Sequence, residues 1–151
     1  YRNSAEIYDL AAQVAAVAVR HPDLADAVRR TGELPVHLTV GATELVDTAR
    51  RSAGEILDRV EGTVAIVAAT DRQAELADQL ADLLEQHPDR LRLLDGLATK
   101  GLEFDGVVVI EPDAITAESS AGWRTLYVVL TRATQLLTTV GTTDGWLSRI
   151  R

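Results

Sequence analysis

Lys100 and Phe104, the only lysine and the only phenylalanine of the chain, fall inside one six-residue run, Lys100-Gly101-Leu102-Glu103-Phe104-Asp105. Elsewhere the chain meets its need for positive charge with arginine, so a lysine beside a glycine, with a glutamate close behind, reads as a chemical choice. Further on, Leu126-Tyr127-Val128-Val129-Leu130-Thr131-Arg132-Ala133 is an apolar helical face that delivers one arginine. Together the two runs suggest half of a nucleotide site.

Both runs are set among strands and helices that alternate. Residues 4–20 carry apolar groups at helical spacing, with Ser4 as N-cap and His21-Pro22 as the stop. Residues 35–40 alternate as a strand, 43–60 read as an amphipathic helix ending at Gly62, and 63–69 form a continuous apolar run of the kind that a strand buried on both faces shows. A helix over 71–86, a short strand over 90–95, an apolar strand over 106–111, a helix over 119–134 and a strand over 136–140 complete the pattern. The Ser-, Ala- and Thr-rich stretch 113–122 reads as a flexible loop. The fold class predicted is α/β, a three-layer arrangement with a parallel sheet between helices. In such sheets ligands sit beyond the carboxyl ends of the strands, where the loop 97–101 is expected to project.

Composition narrows the function classes. The chain has 151 residues, near the commonest size for a single domain, and none of its apolar stretches is long enough to span a membrane. A cytoplasmic setting follows most simply. With no cysteine there are neither disulfides nor thiolate metal sites, and the scattered His21, His37 and His87 lack the spacing of zinc ligands, so no metal site is expected and these histidines read as turn, capping or surface residues. A net charge of −8 argues against a domain that grips nucleic acid through many phosphate contacts. The abrupt start at Tyr1, without an initiator methionine, predicts a fragment of a longer protein.

The start Tyr1-Arg2-Asn3-Ser4, the run Thr99 to Asp105 and the run Leu126 to Ala133 resemble, in order, three motifs of superfamily 1 helicases of the UvrD/Rep type, all from their second RecA-like domain. Those are the Tyr-Arg-Ser start of the domain, the Lys-Gly-Leu-Glu-Phe run into a strand, and the Tyr-Val-x-x-Thr-Arg-Ala run on a helix. The resemblance implies a RecA-like, P-loop NTPase-type domain. By that resemblance Arg132 looks like an arginine finger directed at the γ-phosphate of ATP, and Arg2 like a second cation at the same phosphate. A planar guanidinium suits the charge that builds on the equatorial oxygens during phosphoryl transfer. Without the motif context, both would read as surface arginines paired with carboxylates.

The same resemblance implies that Glu103 and Gly101 line the nucleotide, and that Thr99, Lys100 and Thr131 couple the site to single-stranded DNA. Phe104 and Tyr127 read as core residues rather than base-stacking platforms, because both sit within apolar patterns; Trp123 and Trp146 leave either reading open. No G-x-x-x-x-G-K-[ST] loop and no Asp-Glu pair after an apolar strand occur. The domain therefore lacks its own P-loop. A partner N-terminal RecA-like domain is implied to supply it, together with the ligands for the Mg²⁺ that accompanies ATP, and the fragment alone is expected to be inactive.

Two departures place the chain within that resemblance. Leu97 and Ala98 stand where the family has a His-Ser pair, and 88–95 runs straight on where UvrD and Rep carry a large inserted domain. With the extended match Lys-Gly-Leu-Glu-Phe-Asp-Gly-Val-Val-Val, the chain looks closer to the compact HelD type, which remodels RNA polymerase using ATP. Two alternatives remain: a polymerase-binding module with a vestigial ATP cleft, and a free-standing doubly wound domain binding a small ligand at its strand ends.

Overall fold

A computed structural model of the chain describes residues 4–18 and 34–150. Five strands, β1 (Val36–Thr39), β2 (Val64–Val67), β3 (Leu91–Leu94), β4 (Phe104–Ile110) and β5 (Ala133–Gly141), form one sheet in the order β1-β5-β4-β2-β3. Every pair is parallel. Helices α1 (Ala5–Ala18), α5 (Pro112–Ala117), α6 (Gly122–Leu130) and α7 (Gly145–Ile150) cover one face. Helices α2 (Leu45–Arg59), α3 (Gln73–Gln79) and α4 (Ala81–Gln86) cover the other, giving the three layers expected.

The central strands explain their own composition. Val107, Val108, Val109 and Ile110 of β4 are all fully buried, alternating between the two helix layers. Each such side chain contributes about 1.5–3 kcal/mol by leaving water, which is why a sheet covered on both faces needs a run without polar breaks. On α2 the buried positions Leu45, Thr48, Ala49, Ser52, Ala53, Ile56 and Leu57 follow the three-and-four spacing of one helix face. Ser4 begins α1 as predicted: its hydroxyl accepts from the Ile7 amide at 3.3 Å, and its carbonyl from the Tyr8 amide at 2.9 Å. The predicted stop at His21-Pro22 lies outside the described residues.

A bulge shapes the start of β4. The amides of Asp105 and Gly106 both donate to the Thr63 carbonyl, at 2.8 and 3.3 Å, so two residues of β4 face one neighbour. That extra residue puts Phe104 on the same face as Val107 and frees the Asp105 carboxylate to accept the Gly62 amide at 2.8 Å. Gly106 is needed for packing rather than backbone freedom, since a Cβ there would lie 2.2 Å from Ile56 Cγ2.

Several boundaries differ from those predicted. The helix over 71–86 is two helices that break at Leu80. Arg50 of α2 donates to the Gln79 carbonyl there, taking the acceptor that a continuous helix would use internally. The stretch read as a flexible loop, 113–122, holds all of α5 but its first residue. Pro112 occupies its first turn, a position where the missing N–H costs nothing, and Ile115 anchors it in the core. α6 spans Gly122–Leu130 rather than 119–134, because β5 already begins at Ala133, paired with Phe104. α7 went unpredicted. None of the helices among the described residues is long and apolar enough to cross a membrane.

Candidate functional site

The first candidate run is positioned by a tight 3₁₀ turn at Leu97–Thr99, directly after β3. Asp95 caps it, its carboxylate accepting the Ala98 amide at 2.8 Å, and the Thr99 hydroxyl donates to the Gly96 carbonyl at 2.7 Å. Gly96 is pressed against α6, where a Cβ would meet Thr125 Cγ2 at 2.4 Å. The chain then turns through Gly101, whose φ of +79° places it in the left-handed region. Nothing stands within 4 Å of a Cβ built on Gly101, so its backbone angle alone explains the residue type.

These details sort the predicted residues. Lys100, Gly101 and Glu103 are exposed along one short segment. Thr99 is not: it is fully buried, and its hydroxyl is committed to the turn rather than offered to a nucleic-acid strand. Leu97, where the family has a polar pair, is 72% exposed at the tip of the turn.

The second run reaches the same place from the other side. α6 ends at Leu130, Thr131 caps it, and Arg132 precedes the first residue of β5. The Arg132 guanidinium is held by three bonds. Nε donates to the Val128 carbonyl at 3.1 Å, Nη1 to the Leu102 carbonyl at 3.3 Å, and Nη2 to the Thr131 hydroxyl at 3.1 Å. Thr131 in turn donates to the Val128 carbonyl at 2.8 Å. The Phe104 amide donates to the Arg132 carbonyl at 2.8 Å, completing the join between the start of β4 and the start of β5. A guanidinium has five N–H donors, so these bonds to described residues leave one N–H on each terminal nitrogen.

Glu103 and Arg132 therefore sit at the amino ends of their strands. The loop 97–101 leaves the carboxyl end of β3 as expected, and these two charged residues lie at the amino ends of β4 and β5. The carboxyl ends are occupied by the chain's own acids. Glu118 accepts the Thr70 amide at 2.6 Å, Asp95 the Thr70 hydroxyl at 3.2 Å, and Glu111 the Thr142 amide at 2.6 Å. Among the described residues no cluster of His, Asp or Glu could hold a metal ion. Arg2, the remaining predicted site residue, lies outside the described residues.

The aromatic residues sort equally plainly. Phe104 is buried in the core, Tyr127 packs partly buried against it, and Trp146 is buried. Trp123 is half-buried beneath the Arg149 guanidinium, 5.6 Å from the ring centroid. His37 lies in β1, its Nδ1 2.8 Å from the Thr139 hydroxyl and its ring edge-on to Trp146.

Residues 95–140, the stretch that holds both runs, match the family model of the UvrD-like helicase C-terminal domain. That stretch is similar to the C-terminal domain of UvrD-like helicases. The whole chain is similar to the crystal structure of the C-terminal domain of a possible DNA helicase from Lactobacillus plantarum WCFS1, with a TM-score of 0.73, covering 100% of this chain and 94% of that one at 23% identity. At that identity the likeness shows a shared fold. No curated protein matches the chain.

Sequence reasoning picked out Arg132 but missed the cradle around it. The carbonyls of Val128 and Leu102 carry no side-chain signal. The spacing did hold a clue, since Val128 stands three and four residues before Thr131 and Arg132, the separation at which a helix-end side chain returns to its own last turn.

Proposed function

We propose that this domain is the second RecA-like motor domain of a superfamily 1 helicase-type ATPase. ATP would bind between it and an N-terminal RecA-like partner domain that supplies the phosphate loop and the Mg²⁺ ligands. In hydrolysis, water attacks the γ-phosphorus in line, the bond to the bridging oxygen of ADP breaks, and negative charge spreads over the equatorial oxygens. Arg132 is the group on this domain suited to that charge: a guanidinium already held in place, with one N–H on each terminal nitrogen left by its bonds to described residues. Arg2 is a second cation for the same phosphate, and Glu103 and Gly101 line the nucleotide.

The observation that carries this reading is the bond from Arg132 to the Leu102 carbonyl. It joins the two candidate runs inside the UvrD-like stretch. Through the segment 99–103, events at the turn after β3 reach the arginine, and we assign Lys100, with Thr99 as its buried anchor, to coupling the ATP site to a nucleic-acid strand, single-stranded DNA in the first instance. The complete protein would work in the cytoplasm. Replacing Arg132 by Ala should abolish its ATP turnover while leaving the fold intact.

A second reading is favoured by one specific observation. The rigid turn that would face the strand presents Leu97, 72% exposed, beside Asp95 and with Lys100 as its only cation. An apolar tip beside a carboxylate suits a protein surface better than a phosphate backbone. That fits a HelD-type protein that remodels RNA polymerase with ATP, or a polymerase-binding module whose ATP cleft is vestigial. Turnover separates these two, since only the first requires Arg132.

A further inference from the structure

We infer that Thr131 is a positioning residue for Arg132. The inference rests on the ATPase reading above and assigns Thr131 a role distinct from contact with nucleic acid. Its hydroxyl does two things at once: it donates its one hydrogen to the Val128 carbonyl at 2.8 Å and accepts from Arg132 Nη2 at 3.1 Å. The hydroxyl is thus fixed by the last turn of α6 before it fixes the arginine. Because a hydroxyl has a single proton, the donation to Val128 sets the direction of the remaining lone pairs.

Without that acceptor the guanidinium keeps Nε on the Val128 carbonyl and Nη1 on the Leu102 carbonyl. Those two bonds leave the plane free to tilt at Nη2, the terminal nitrogen beside the N–H that would face a phosphate. The turn type does not demand the threonine. Its backbone, at φ −77° and ψ −4°, is ordinary helical geometry that most residues adopt, and its amide bonds to Tyr127 through the backbone. The hydroxyl at this position therefore serves the arginine as well as the last turn of α6.

The test compares Thr131→Val, which keeps shape and removes the hydroxyl, with Thr131→Ser, which keeps the hydroxyl, in the complete protein. Steady-state ATP turnover and thermal unfolding are measured for each. The expected result is a fall in kcat on the order of 10- to 100-fold for Thr131→Val, the scale of a misplaced catalytic group. The KM for ATP and the unfolding midpoint should hardly change, and Thr131→Ser should recover most of the rate. An unchanged kcat in Thr131→Val, or a loss that serine does not recover, overturns the inference. Should Thr131→Val not fold, Thr131→Ala against Thr131→Ser gives the same decision. Arg132→Ala is run alongside. If it retains full turnover, the ATPase role of Arg132 fails and this inference falls with it; if it abolishes turnover while Thr131→Val is silent, only the positioning role fails.

Discussion

Arg132 donates from Nη1 to the carbonyl of Leu102 at 3.3 Å, across 30 residues of sequence, and so fastens the end of α6 to the segment leading into β4. Two sequence runs that stand apart along the chain become one structural unit at the amino ends of neighbouring strands.

Gly106→Ala should destabilise the domain by roughly 1–3 kcal/mol, the usual cost of overpacking. The new methyl would lie 2.2 Å from Ile56 Cγ2. In chemical denaturation, combining it with Ile56→Ala should cost less than the sum of the two single changes, because the second removes the clash. Additive costs would mean that the strand and α2 do not meet as described.

Arg90 closes the far end of α2. It donates from Nε to the Gly62 carbonyl at 3.0 Å and from Nη2 to the carbonyls of Leu57 and Val60 at 3.0 and 2.6 Å. Arg90→Ala leaves these acceptors to water or to nothing, and should cost about 2 kcal/mol in urea unfolding. Arg90→Lys, which lacks the fork, should recover only part of it.

Glu111 adopts a left-handed backbone, with φ 53° and ψ 67°, at the end of β4. Its carboxylate holds the Thr142 amide and hydroxyl, bridging β4 to the loop that leads to α7. Glu111→Ala loses the bridge and keeps the strained angle, whereas Glu111→Gly loses the bridge and relieves the strain. The glycine variant should be the more stable of the two by about 1 kcal/mol. Equal stabilities would show that the angle is not strained.

Asp82 is held below the usual carboxylate range, first by the hydrogen bond from Arg50, partly offset by desolvation. A depressed folded pKa means that the pair stabilises the domain above the unfolded value and that this stabilisation is lost as pH falls through the folded value. Asp82→Asn should therefore unfold more easily than the unaltered chain at neutral pH and low salt, and the difference should vanish in acid below the folded pKa. Because Asp82 is exposed, added salt should also shrink the difference.

Much of this scaffold was legible in the sequence, and the reasons are physical. The continuous apolar runs at 64–69 and 107–110 announce strands covered on both faces, and residues 45–57 show one buried helical face. What stayed hidden depends on contacts between distant residues. The break at Leu80 follows from a carbonyl bond to Arg50, 29 residues away. α7 spans only Gly145–Ile150 and begins where Asp113 receives the Gly145 amide at 3.0 Å, which no local pattern foretells. The site divides in the same way: the charged residues of both runs were visible by type, but the carbonyl of Leu102 and the fixed hydroxyl of Thr131 needed the folded chain. The carboxyl end of β3 was legible as the start of the loop 97–101, while the bonds of Glu118, Asp95 and Glu111 within the chain needed the fold.

The central claim is that Arg132 completes an ATP site shared with a partner domain. ATP turnover by the complete protein tests it most directly, measured with and without single-stranded DNA and RNA polymerase, for the unaltered chain and for Arg132→Ala. The account predicts turnover in the unaltered protein and its loss in Arg132→Ala, with the domain still folded although its unfolding midpoint falls as the bonds to Val128 and Leu102 are lost. Turnover that survives the substitution would contradict it.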